Sequence, residues 1–258
     1  MMINRLKEKL KQGESVFGSW IETTSIDNAE ILANVGADFI MIDGEHGAMN
    51  FETAGKMISQ IKYTTTTPLL RVPGNDMFII KQYLDTGAAG IMIPMVNSKA
   101  EAEKAVSYCN YPPKGVRGIG AGRNCLFVNQ LNEYLTYAIE GEGILVILQI
   151  EHIDAVNNID EILSVPGIDV AFVGPFDLSA SMDLLGQIEH PQVLDAIDKV
   201  LISCKNHNII PGTITTPEQI KKHINQGFRI LIGGMDGQLL FEGGKKMVEE
   251  FKNVIKSN

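Results

Sequence analysis

Two carboxylates occupy matching places in this chain. Glu151 closes an apolar run that begins at Ile144, and Asp177 closes one that begins at Val170. A helical stretch over 155–163 separates the runs, so the segment reads as one βαβ unit with an acid at the same end of each parallel strand. Neighbouring strands lie about 4.8 Å apart, so the two acids can converge on one point. A single acid just past a strand more often caps the next helix. Two on adjacent strands, each after a buried run, point to a divalent metal. Oxygen donors without cysteine favour Mg2+ or Mn2+ over structural zinc.

The elements that must position this pair repeat along the whole chain. Short apolar runs at 16–20, 38–42, 68–72, 90–94, 144–150, 170–173, 209–212 and 229–233 alternate with amphipathic stretches at 27–35, 53–62, 76–86, 98–108, 155–163, 191–206, 217–226 and 236–256. Strands alternating with helices imply a parallel sheet, and eight such units predict a (β/α)8 TIM barrel. An open doubly wound sheet is the weaker alternative, because no dinucleotide fingerprint follows the first strand. Residues 110–143 are too long for an ordinary loop. They are read as an excursion over the barrel mouth after the fourth strand, with a helix near 130–138. The last helix is apolar on one side, through Leu240, Met247, Phe251, Val254 and Ile255. Its pattern fits packing on its own barrel or docking on a neighbouring subunit.

Active sites of such barrels form where strands end. Those positions hold Trp20, the stretch Asp43-Gly-Glu-His46, Arg71, Pro94, Gln149-Ile-Glu151, Gly174-Pro-Phe-Asp177, Thr213 and Gly233-Gly-Met-Asp236. No lysine stands at a strand end, which disfavours imine chemistry. A 2-oxo acid could chelate a metal there, with the metal as Lewis acid, a guanidinium beside the same oxygen and a histidine moving protons. Gly233-Gly234 before the last helix is a candidate anion site. His152, His190, His207 and His223 are read as ordinary surface or core histidines.

Composition bounds the remaining possibilities. At 258 residues with 45% hydrophobic content, the chain is expected to form one domain over 1–258. A net charge of −9 without a basic stripe argues against nucleic acid as a partner. No apolar run approaches the ~18 residues of a membrane span, and the charged N-terminus lacks a signal-peptide pattern. Cys109, Cys125 and Cys204 are dispersed, which predicts a reducing, cytoplasmic setting and no disulfide or zinc framework.

At this point a family resemblance is apparent. Phe39-Ile-Met-Ile-Asp-Gly-Glu-His46-Gly, Leu70-Arg-Val-Pro73, Leu84-Asp85 through Pro94, Tyr111-Pro-Pro-Lys-Gly-Val-Arg-Gly118, Gln149-Ile-Glu151 and Gly174-Pro-Phe-Asp-Leu-Ser179 occur in order. The set resembles the metal-dependent (class II) pyruvate aldolases of the 4-hydroxy-2-oxoheptane-1,7-dioate aldolase type, over about residues 15–235. The resemblance implies a (β/α)8 barrel with its last helix exchanged between subunits, usually in a hexamer. It implies reversible cleavage of a 4-hydroxy-2-oxo acid to pyruvate and an aldehyde, through an enolate held on Mg2+, Mn2+ or Co2+. Glu151 and Asp177 would be the metal ligands, and Arg71 would hold the keto or enolate oxygen. His46, oriented by Asp85, would transfer the proton. Gln149 and the segment Gly174, Pro175 and Phe176 would line the substrate, and Asp43 matches a family acid.

Two positions depart from the family pattern, Phe176 and the stretch 123–127. Both are expected at the substrate entrance, where they bear on the aldehyde partner. A related lyase of acyl-CoA esters is one alternative, although no basic nucleotide-binding segment is evident. A catalytically silent barrel serving as a binding subunit is another; Glu151, Asp177 and Arg71 are all present, which weighs against it.

Overall fold

The computed structural model describes residues 4–140 and 143–256. Eight parallel strands close on themselves in sequence order. They are β1 (Val16–Ile21), β2 (Phe39–Asp43), β3 (Thr67–Arg71), β4 (Gly90–Ile93), β5 (Leu145–Ile150), β6 (Val170–Val173), β7 (Ile210–Ile214) and β8 (Ile230–Met235). The β1–β8 pairing that closes the ring runs Val16↔Ile230 to Trp20↔Met235, with an irregularity between Gly18 and Trp20. The helices are α1 (Arg5–Lys11), α2 (Ile26–Ala33), α3 (Phe51–Ile61), α4 (Met77–Asp85), α5 (Lys99–Cys109), α6 (Leu131–Glu140), α7 (Ile153–Asn157), α8 (Ile159–Leu163), α9 (Pro175–Ser181), α10 (Pro191–His207), α11 (Ile220–Gln226) and α12 (Asp236–Lys256).

The two-residue period of a strand sorts its side chains between two cores. Phe39 and Met41, Leu69, Met92, Leu145 and Ile147, Val170 and Phe172, and Ile230 and Ile232 fill the barrel interior. The residues between them, such as Ile40, Ile42, Leu70, Ile91, Leu148 and Ala171, pack outward under the helices. The inward row of β2 continues to Asp43, that of β3 to Arg71, and that of β5 to Gln149 and Glu151. Thus the parity that builds the apolar interior also aims the polar residues at the barrel axis. Helix α1 closes the opposite end. Its Leu6 and Leu10 join the interior, and Lys7 Nζ donates to the Ile144 carbonyl at 3.1 Å and to Asp169.

Several expectations need correction. The stretch 155–163 is two helices, because Asn158 leaves helical geometry (φ −102°, ψ 12°). The short α9 was not anticipated; its first turn carries Asp177. The 110–143 excursion does not cover the mouth of its own barrel. Helix α5 has already returned the chain to the N-terminal end of the strands before the excursion begins. Its Arg117 pairs with Asp85 at the end of α4 (2.8 Å), and Arg123 donates to Ser59 of α3 (2.6 Å). The stretch 123–127 therefore lies far from the entrance of the same chain.

Helix α12 does not cover its own barrel. Asp236 is its one buried residue among those described, whereas Leu240, Phe241, Met247, Phe251 and Ile255 are exposed. Among the described residues, no helix is long and apolar enough to cross a membrane. The three cysteines are free and buried.

Candidate active site

Asp43 and Arg71 are register partners on β2 and β3. Their shared inward parity makes them meet inside the mouth. Arg71 Nε donates to Asp43 Oδ1 at 2.9 Å and Nη2 donates to Oδ2 at 2.5 Å. The carboxylate is fully buried and the guanidinium nearly so. The indole of Trp20 lies beneath the guanidinium, 4.4 Å from centroid to Cζ, and is fixed edge-on against Phe172. Burial acts to lower the Arg71 pKa, but its hydrogen bonds to Asp43 and the charges of Asp43, Glu45 and Glu151 raise it above the ordinary value. Arg71 thus stays a cation with a fixed plane. Two of its five N–H groups are engaged by Asp43, which leaves others to face the mouth.

The turn after β2 adds two more groups. Asp43 Oδ1 also accepts from the backbone N–H groups of Glu45 (2.9 Å) and His46 (3.3 Å). Gly44 lies against β3, its N–H donating to the Arg71 carbonyl; a Cβ there would stand 2.6 Å from that oxygen. The half-buried Glu45 carboxylate is 3.2 Å from Arg71 Nη1 and 3.9 Å from His46 Nε2. Glu45 Oε2 is buried without a hydrogen bond, so it meets Arg71 as a charge and not as an aligned acceptor. Burial raises the Glu45 pKa; Arg71 and His46 oppose this, while Asp43 and Asp177 add to it. His46 is exposed.

Glu151 stands across the mouth. Its Oε1 accepts from the Met95 N–H at 2.9 Å, a donor presented by a left-handed residue (φ 54°) just past β4. Gln149 Nε2 donates to its other oxygen, leaving Gln149 Oε1 buried and unpartnered. Gly174 lets the end of β6 approach: a Cβ there would lie 3.0 Å from Glu151 Cβ and 3.3 Å from Gln149 Nε2. Burial pushes the Glu151 carboxyl up to about 7; the Met95 N–H opposes this, the charges of Glu45 and Asp177 add to it, and Arg71 opposes it. Burial first, and then neighbouring carboxylate charge, thus raises the pKa of both Glu45 and Glu151.

A divalent cation fits this donor set. Among the described residues no three His, Cys, Asp or Glu side chains cluster with metal-holding geometry. Glu151 and Asp177 would supply two protein oxygens, which is enough for an ion that retains water and substrate oxygens. A cation would also relieve the repulsion that raises Glu151.

The structure brings Asp43, Arg71, Gln149, Glu151 and Gly174 together, with His46 at the edge. Asp177 lies in the first turn of α9, close enough for its charge to act on Glu151. Pro175 is buried, and the exposed Phe176 ring borders a separate rim cavity of about 130 Å³ beside Thr213 and Phe228. Asp85 does not join the group within the chain. It ends α4 at the far face, where Arg117 and Asn124 hold it, so the carboxylate beside His46 is Glu45. Trp20 and Glu45 stood among the strand-end residues without a role, and Met95 was missed. Parity with Asp43 and Arg71 could have exposed Trp20; a left-handed Met95 leaves no sequence signal. Just beyond Gly233-Gly234, the chain forms a clasp to the loop after β1. Asp236 accepts from the N–H groups of Glu22 and Thr23, from the Thr23 hydroxyl and from Asn28. Burial would raise its pKa, but those hydrogen bonds hold it below the ordinary carboxylate value.

Comparison with known proteins agrees with this geometry. The HpcH/HpaI aldolase/citrate lyase family model matches residues 17–243. A hydroxypyruvate/pyruvate aldolase from Roseobacter denitrificans is 36% identical over 253 residues, covering 97% of this chain and 98% of that protein. A 4-hydroxy-2-oxo-heptane-1,7-dioate aldolase from Salmonella typhimurium is 36% identical over 97% of this chain and 95% of that protein. Among solved structures, a HpcH/HpaI aldolase/citrate lyase family protein from Burkholderia cenocepacia superimposes with a TM-score of 0.92 at 29% identity, covering 96% of this chain and 99% of that one.

Glu151 ionises near pH 7 in the fold, against an ordinary value of 4.5. Between those values the folded chain holds a proton that the unfolded chain has released. Stability of the metal-free protein should therefore be greatest below pH 4.5, as far as this group is concerned, and decline as pH rises to 7. The full penalty is on the order of 3 kcal/mol. Chelator-treated Glu151→Gln should melt above the chelated parent at pH 8, with the difference shrinking toward pH 5. Equal melting temperatures at pH 8 would show that the carboxylate carries no such strain.

Proposed function

The chain belongs to the HpcH/HpaI aldolase/citrate lyase family, a carbon–carbon lyase by that membership, and we propose that it reversibly cleaves a 4-hydroxy-2-oxo acid to pyruvate and an aldehyde. The observation that carries this reading is the mouth itself. A fixed, charged guanidinium stands opposite a crowded carboxylate pair suited to a divalent ion, with a histidine at the edge and no strand-end lysine.

Glu151 and Asp177 would hold the ion, Mg2+, Mn2+ or Co2+. When bound, the ion supplies Lewis acidity to the keto oxygen of the substrate. Arg71 donates to that same oxygen and stabilises the charge that grows there as the C3–C4 bond breaks. Asp43 and Trp20 keep the guanidinium plane in place, so no reorganisation is needed as charge develops. His46 takes the proton of the C4 hydroxyl, which leaves as the aldehyde carbonyl; the bond electrons pass into the pyruvate enolate, and C3 then receives the proton that His46 took, returned through water. Glu45 faces His46 and holds a cationic ring once the proton has moved. First-turn amides of α9, at Phe176 and Asp177, have no intrahelical acceptor and would receive the pyruvate carboxylate. Gln149 Oε1 would accept from a bound water or a substrate hydroxyl.

The assembly follows from α12. Its uncovered apolar face would lie on the barrel of a neighbouring copy, where Ile31 of α2 and Val35 of the turn after it are exposed. Exchange of this helix would build a homo-oligomer, a hexamer by family pattern.

Three measurements test the reading. Pyruvate release from a panel of 4-hydroxy-2-oxo acids should stop with chelator and return with Mg2+, Mn2+ or Co2+; full turnover in chelator would sink it. Arg71→Lys should lose on the order of 10²-fold in kcat, because an ammonium cannot reproduce the fixed planar fork. If only KM rises, Arg71 contributes uniform binding instead. Phe251→Asp should reduce the particle mass seen by light scattering, and an unchanged mass would reject helix exchange.

A further inference from the structure

A cavity of about 510 Å³ opens at the N-terminal end of the barrel, the end opposite the proposed chemistry. Its walls are the residues that begin β3, β4 and β5, together with the end of α3 and the 110–143 excursion. Three cations line it, Arg5, Lys62 and Arg123, along with the hydroxyl-bearing run Thr64–Thr67. No carboxylate is among its described lining residues, in a chain of net charge −9.

The cations are not consumed by the fold. Arg123 donates to the neutral Ser59 hydroxyl at 2.6 Å and lies over the Phe127 ring at 5.6 Å. Neither it nor Lys62 has an ion-pair partner among the described residues. Lys62 Nζ and the Arg123 backbone flank Gly87, where a Cβ would stand 2.7 Å from Lys62 Nζ and 3.5 Å from the Arg123 carbonyl, and both side chains are exposed to the cavity. The Lys62 side chain reaches solvent through the cavity, yet burial and then the Arg123 charge lower its pKa. Like charges that line one cavity without a carboxylate favour an anion there.

We propose that this cavity binds a small polyvalent anion, a phosphate ester or a polycarboxylate, between Lys62 and Arg123. The site is independent of the pyruvate site, and its ligand ties α3, the end of α4 and the excursion together.

Inorganic phosphate and malonate serve as probes for the two anion sources, titrated calorimetrically into metal-loaded protein already saturated with pyruvate. The expected result is one saturable site per chain for at least one probe. Lys62→Gln and Arg123→Gln should each weaken it roughly tenfold, the loss of one charge-assisted hydrogen bond. The probe that binds more tightly identifies the source. Lys62→Glu should raise the melting temperature without anion, since repulsion by Arg123 becomes attraction, and the bound probe should no longer add to it. No saturable binding to the parent, or undiminished binding in both glutamine variants, overturns the proposal. Pyruvate release by Lys62→Gln reports on the aldolase reading separately, because Lys62 lies outside the mouth.

Discussion

The mouth of this barrel is organised by the bidentate pair between Arg71 and Asp43. Both groups are buried, and a buried charge must be paired and hydrogen-bonded to be tolerated. Asp43 meets that requirement with two donors from Arg71 and two backbone N–H groups from the turn after β2. One carboxylate thereby fixes the guanidinium plane, the path of the Asp43–His46 turn and the place of Glu45. The pair exists because β2 and β3 stand in the register that puts Asp43 beside Arg71. A register shift of one residue would turn both groups out of the barrel interior.

Around that fixed cation the barrel gathers more negative charge than it neutralises. Both Glu45 and Glu151 are raised in pKa, by burial first; the charge of Asp177 adds to both, and that of Glu45 adds to Glu151. Such crowding destabilises the empty chain and favours a cation, so function and stability oppose one another here. Glycine permits the arrangement at two points. Gly44 lets the acidic turn lie on β3, and Gly174 lets the α9 segment lie on Glu151.

The two ends of the barrel carry different burdens. The N-terminal end is sealed by Leu6 and Leu10 of α1 and braced by Lys7 with Asp169. The long excursion packs beside it, anchored through Arg117 and Asp85. At the mouth, Asp236 ties the start of α12 to the loop after β1. Beyond that clasp α12 leaves its barrel with its apolar face uncovered. A chain that folds into a closed barrel can still be incomplete, because the helix expected to cover the last strand is turned elsewhere.

The sequence by itself determined the barrel, the order of its strands and the matched acids Glu151 and Asp177. Period-two burial and the βαβ spacing are local properties, and local patterns carry them. Arg71 and Asp43 were visible as strand-end residues, but their pairing depends on register between strands, which no single segment encodes. Tertiary structure alone decided that, within one chain, Glu45 and not Asp85 lies beside His46, since α4 carries Asp85 to the far end. It also decided that the excursion lies opposite the mouth, because α5 had already turned the chain around. The Met95 donor, the Trp20 platform and the outward course of α12 belong to the same class. Each depends on which surfaces meet once the ring has closed.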